Sequence, residues 1–121
     1  MKAPLNILVV DDALSMRMVI KKQLGGLGHN VVGEAGDGKE AIQKYVELNP
    51  DVVMLDLVMP KFDGKKTLKK LLEIDEHAKI IICSSLGAEQ DVEFCLRAGA
   101  HSYIQKPYDG EGIKVALDSL I

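Results

Sequence analysis

The chain has 121 residues, of which 47% are hydrophobic and 27% charged, and a net charge of −3, ordinary figures for one globular domain with its own core. The acidic balance, with a pI near 5.6, gives no footing for general nucleic-acid binding, and no apolar run reaches the roughly 20 residues of a membrane-spanning helix. "MKAPLN" lacks a signal-peptide core, so a cytoplasmic protein with no membrane partner is expected, and Cys83 and Cys95 are too few and too separated for a disulfide framework or a zinc site.

Strand-like and helix-like segments then alternate along the chain. "NILVV" (residues 6–10) is β-branched and apolar, a first strand. "SMRMVIKKQLGGLG" follows, with Met16, Val19, Ile20, Leu24 and Leu27 at helical spacing, Ser15 as its predicted N-cap and Gly28 as its stop. "NVVGEA" (30–35) is a weaker strand, and 37–49 a helix with Asp37 at the N-cap, Glu40 three residues later and Pro50 beyond its end. "DVVML" (51–55) is an apolar strand, and the helix expected over 63–75 places Leu68, Leu71 and Leu72 on one face. "KIIICS" (79–84) is again continuously apolar, and a helix over 87–100 is stopped by Gly99. A short strand, "SYIQ" (102–105), precedes a last helix over 110–121 with Ile113, Ala116, Leu117 and Leu120 as its stripe. Cys83 and Cys95 read as small core residues.

Apolar strands separated by helices imply an α/β protein with a parallel sheet covered on both faces. Right-handed crossovers leave few topologies, and the doubly wound five-stranded order 2-1-3-4-5 is the expected one. There are no internal repeats or linkers, so residues 1–121 are read as a single domain.

The chemistry is expected beyond the carboxyl ends of the strands, where strand order reverses between the first and third. In "VVMLDLVMP", Asp56 is a lone carboxylate among apolar residues, costly unless something pairs with it. Asp11 and Asp12 end the first strand, Ser84 and Ser85 the fourth, and Lys106 follows the fifth. Taken singly, each has a plainer reading: a capping turn, a turn aspartate, cap serines, an exposed lysine. Their joint fall at four ends of one sheet carries the signal. Two carboxylates about 5 Å apart repel by roughly 3 kcal/mol at an effective dielectric near 20. Hard carboxylate oxygens suit Mg²⁺, and Lys106 supplies positive charge when metal is absent. Asp56 then reads as a nucleophile for phosphoryl transfer that forms an acyl phosphate.

These segments resemble a known family, the receiver domain of two-component response regulators. The likeness runs over essentially the whole chain and rests on "LVVDD" (8–12), "DVVMLDLVMPKFDG" (51–64), "IICSS" (81–85) and "AGAHSYIQKPY" (98–108). It implies a flavodoxin-like (β/α)5 fold, with Asp56 as phosphoacceptor and Asp12 as a direct Mg²⁺ ligand. Asp11 matches the neighbouring acid acting largely through water, and Val58 the position whose backbone carbonyl completes the metal ligands. Ser84 matches the switch hydroxyl, with serine where threonine is commoner. Lys106 matches the phosphate-contacting lysine, before a cis bond to Pro107, and Tyr103 the aromatic that swings inward on activation. Tyr108 replaces a frequent phenylalanine, and Gly64 would permit the tight turn ahead of the third helix.

"DDALSMRMVIKKQL" is similar to the single-domain chemotaxis regulators. "CSSLG" is also similar to the receiver of chemotaxis methylesterases, although no catalytic domain accompanies it in these 121 residues. The implied partners are a histidine kinase as phosphodonor and a downstream target, the flagellar motor switch or another output protein. The implied role is a switch in chemotaxis, not an enzyme, catalysing only its own phosphotransfer and dephosphorylation. In this family the positions two beyond the phosphoacceptor and two beyond the switch hydroxyl flank the attacking water. Here they are Val58 and Leu86, both apolar, so slow self-dephosphorylation and a separate phosphatase are expected. A small-molecule phosphohydrolase would need a cap or second domain for its substrate. A flavodoxin-like cofactor binder would need a phosphate-binding loop where "DDALS" places acids.

Overall fold

Unbroken apolar strands set the architecture. The computed structural model describes residues 3–57, 64–85, 87–106 and 109–120. The chain runs β1 (Asn6–Val10), α1 (Leu14–Gly26), β2 (Asn30–Ala35), α2 (Gly38–Leu48), β3 (Val52–Asp56), α3 (Gly64–Ile74), β4 (Ile80–Ser84), α4 (Glu89–Ala98), β5 (Ser102–Gln105) and α5 (Gly110–Asp118). The five strands form one parallel sheet, as the alternation of elements predicts, and its order is β2-β1-β3-β4-β5, the one expected.

Strand residues point alternately to the two faces, and two core layers result. Leu8, Val53, Leu55, Ile80 and Ile82 pack with Ala41 of α2, Leu68 and Leu71 of α3 and Cys95 of α4. On the opposite face Ile7, Val9, Met54, Ile81 and Cys83 pack with Ile20 and Leu24 of α1 and Ile113 and Leu117 of α5. β3 and β4 are buried at every position, which explains why they read as solid apolar runs. The two cysteines are both buried, one in each layer, consistent with their reading as core residues.

Three local expectations change. Ser15 is not the N-cap of α1. The Asp11 side chain accepts a hydrogen bond from the Ala13 amide at 2.9 Å, turning the chain early, so Ala13 takes the cap and its carbonyl accepts from Arg17 N at 3.1 Å. Val19 is 43% exposed while Ile20 and Leu24 are buried, so the buried stripe of α1 is narrower than its apolar sequence. α4 begins at Glu89, two residues later than expected, because Gly87 adopts φ +94°. Asp37 is confirmed as a cap, its Oδ1 accepting from Glu40 N at 2.9 Å. The first residue of the predicted third helix lies outside the described residues.

Gly64 is required for proximity, not for an unusual φ. A Cβ there would sit 2.5 Å from Leu57 Cα and 2.7 Å from the Asp56 carbonyl oxygen, and the Gly64 amide donates to Leu57 O at 2.8 Å. The start of α3 is thereby pressed against the residue after Asp56.

Candidate functional site

β1 and β3 are neighbours, so their carboxyl ends bring two acidic segments together. At the end of β1, Asp11 N donates to Ala35 O of β2 at 3.0 Å. The Asp11 side chain is only 1% exposed, and Asp12, next along, is exposed. Asp56 closes β3, still paired in register with Cys83 of β4, and is 5% exposed. Carboxylate oxygens of Asp11, Asp12 and Asp56 lie within 4.8 Å of one another.

Lys106, just beyond β5, reaches into this cluster. Its Nζ lies 3.1 Å from Asp11 Oδ2 and 3.4 Å from Asp56 Oδ1. Burial alone would push the lysine toward its neutral form, but the Asp56 charge and the hydrogen bond and charge of Asp11 outweigh it, and the pKa is raised. When all three acids are ionised, three negative charges against one ammonium leave two uncompensated.

That surplus, on hard oxygen donors, fits a divalent cation such as Mg²⁺. Each Asp11 oxygen already accepts a hydrogen bond, one from Ala13 N and one from Lys106. Asp12, the exposed carboxylate of the three, is therefore better placed than Asp11 for direct contact with an ion. Val58, expected to add its backbone carbonyl, lies outside the described residues, as do Leu86, Pro107 and Tyr108.

Ser84 ends β4, is 4% exposed, and accepts at its carbonyl from Lys106 N at 2.7 Å. The Tyr103 side chain stands outward, 51% exposed. Ser84 and Tyr103 line one groove of about 280 Å³, with Val92 and Leu96 of α4 on its wall. The predicted switch pair thus shares a space next to the acidic cluster.

One contributor escapes the sequence. Arg17 on α1 donates from Nη1 to the main-chain oxygen of Asp11 at 2.6 Å and from Nε to Glu34 Oε1 at 3.0 Å. The only sequence sign was a lone basic residue six positions after Asp11, which is uninformative without the register of β2.

A parallel sheet in this strand order, with carboxylates at the β1 and β3 ends and a lysine after β5, is the arrangement of a receiver-type signalling domain. The family described as response regulator receiver domain matches residues 7–118, and the chain belongs to it. It is 41% identical over 115 residues to the chemotaxis protein CheY of Thermotoga maritima, covering 95% of this chain and 96% of that protein. With CheY of Bacillus subtilis it shares 42% identity over 116 residues, covering 96% and 97% respectively. Among solved structures, a chain of the CheX–CheY–BeF3–Mg²⁺ complex from Borrelia burgdorferi superposes with a TM-score of 0.91 at 38% identity, covering 97% of this chain and 89% of that one. Among the described residues, no helix is long and apolar enough to cross a membrane.

Proposed function

We propose that this receiver is a chemotaxis switch, phosphorylated on Asp56 by a histidine kinase in the presence of Mg²⁺. The observation that carries the reading is the cluster of Asp11, Asp12 and Asp56 within 4.8 Å, bridged by Lys106. An Asp56 oxygen attacks the phosphorus of the kinase phosphohistidine. The new O–P bond forms as the N–P bond breaks, and the imidazole leaves. Asp12 and Asp56, with Asp11 through water and the Val58 carbonyl, would hold Mg²⁺, which offsets negative charge on the phosphoryl oxygens. The Lys106 ammonium binds one phosphoryl oxygen and the Ser84 hydroxyl donates to another.

Drawing Ser84 toward the phosphoryl group frees the groove it shares with Tyr103, and the Tyr103 ring turns inward. The face of α4, β5 and α5 then presents a different surface to its target, the flagellar motor switch or another output protein. A shift from 1% to 99% active requires about 5.5 kcal/mol of differential stabilisation. The domain's own catalysis is confined to gaining and losing the phosphoryl group. Val58 and Leu86 have apolar side chains with no hydrogen-bonding group for an attacking water. This favours self-dephosphorylation slower than in relatives with amide and acidic side chains there, and leaves a role for a separate phosphatase.

Incubation with acetyl phosphate and Mg²⁺, read by intact mass, tests the core of this reading. A single phosphoryl adduct is expected, absent from Asp56→Asn and absent without Mg²⁺. Undiminished labelling of Asp56→Asn would refute the assignment.

A further inference from the structure

Asp12 is the exposed member of the acidic cluster, so its place must come from the backbone that carries it. The peptide between Asp11 and Asp12 is the unit whose oxygen Arg17 Nη1 holds at 2.6 Å. The same guanidinium is fixed by Nε to Glu34 Oε1 at 3.0 Å, and Lys21, one turn further along α1, holds Glu34 Oε2 at 2.9 Å. The Lys21 hydrogen bond, with help from Arg17, keeps the Glu34 carboxyl below the usual range against the opposing effect of burial. A planar fork with two anchored donors cannot rotate without breaking one of them. α1, β2 and the acidic loop are thereby tied at one point.

We propose that Arg17, oriented by Glu34, is a positioning residue that presets the Asp12 carboxylate for divalent-cation binding. This rests on the reading that the acidic cluster takes Mg²⁺. It deepens that reading by naming an outer support that touches neither metal nor phosphoryl group. Such supports commonly govern metal affinity through the ligands they orient.

The sign of the effect separates positioning from charge. Arg17 is a cation, and removing a cation beside a metal site should by Coulomb attraction alone tighten Mg²⁺ binding. Positioning demands the reverse. Calorimetric titration of Mg²⁺ into the full chain should show Arg17→Ala binding about 10- to 100-fold more weakly than wild type. Arg17→Lys, which keeps the charge but cannot hold both partners, should lose affinity in the same direction. Glu34→Ala should weaken binding too, and adding it to Arg17→Ala should change little further, because both act through one contact.

Urea unfolding of each variant confirms that it is folded at the titration temperature, and Arg17→Lys carries the test if Arg17→Ala is not. The Asp12 amide resonance in the metal-free protein should shift in the variants. Wild-type affinity or tighter in Arg17→Ala or Arg17→Lys overturns the inference, as do additive losses in the double variant. Failure of the wild type itself to bind Mg²⁺ would instead overturn the reading of the cluster.

Discussion

Lys106 Nζ and Asp11 Oδ2 lie 3.1 Å apart although 95 positions separate the residues in sequence. Their strands, β5 and β1, are not neighbours, since β3 and β4 run between them. At roughly 4.8 Å per strand spacing the two strands are about 14 Å apart. Only a long flexible side chain entering over the sheet edge closes that gap, and it meets Asp56 at 3.4 Å on the way.

The first prediction follows from that bridge. Without metal, Lys106→Met leaves three acids uncompensated and should cost about 1 to 3 kcal/mol, below the usual figure for a buried pair because the lysine is partly exposed. Asp56→Asn should be neutral or stabilising under the same conditions, since repulsion between acids this close is about 3 kcal/mol at an effective dielectric near 20. Saturating Mg²⁺ should recover much of the Lys106→Met loss. Urea unfolding with chelator and with Mg²⁺ checks all three. Equal losses in both conditions for Lys106→Met, or destabilisation by Asp56→Asn in chelator, would contradict the charge account.

The second concerns alkaline pH. Tyr45 is 5% exposed, and its hydroxyl donates to Asp75 Oδ2 at 3.0 Å, tying α2 to the end of α3. Burial, followed by the hydrogen bond and charge of Asp75, pushes the Tyr45 hydroxyl up to about 12. A folded value above the unfolded value of about 10 means the stabilisation is complete below pH 10 and lost as pH climbs toward 12. The amount at stake is at most roughly 2 to 3 kcal/mol. Tyr45→Phe should be less stable than wild type at pH 8 and should close the gap between pH 10 and 12. Lys106 also titrates in the alkaline range, with its stabilisation lost as pH rises through its raised value, but it is common to both proteins and cancels in the difference. A constant difference across the window would contradict the assignment.

Helix starts give the third. Asp37→Ala removes an acceptor that the structure shows in use at Glu40 N and should cost about 1 kcal/mol. Ser15→Ala should be neutral, because Ala13 is the N-cap of α1, which places Ser15 inside the helix rather than at its cap. Thermal unfolding of the two variants decides between the cap read from residue type and the one the backbone adopts.

That contrast marks what the sequence discloses. β3 and β4 were legible because a parallel sheet buries both their faces, and the apolar run records it directly. Asp11, Asp12, Asp56 and Lys106 were legible because strand ends are easy to place and the topology then gathers them. Arg17 was not, since its partners are a main-chain oxygen and a residue on the edge strand β2, a meeting that side-chain identity does not encode. The start of α1 was missed for a related reason: Asp11 uses its carboxylate to turn the backbone, and a site residue acting as a turn residue hides the cap behind it.

The last prediction tests how closely the nucleophile depends on the helix that follows it. At Gly64 an added methyl would meet Leu57 Cα at 2.5 Å, Asp56 O at 2.7 Å and Leu57 O at 2.8 Å. All are backbone atoms, which cannot swing aside as a long side chain would. Gly64→Ala must therefore push α3 away from the end of β3 or displace Asp56 and Leu57, costing about 1 to 3 kcal/mol or more. Gly110, the first residue of α5, is the matched control, because a Cβ there meets nothing within 4 Å. Gly110→Ala should be neutral or stabilising by up to about 1 kcal/mol through reduced freedom of the unfolded chain. If the displaced backbone carries Asp56 with it, Gly64→Ala should also slow phosphorylation by acetyl phosphate while Gly110→Ala leaves the rate alone. A Gly64→Ala protein as stable as wild type would show that α3 can shift without cost. One that is destabilised yet labelled at the wild-type rate would show that the strain is absorbed in the helix and does not reach the carboxylate.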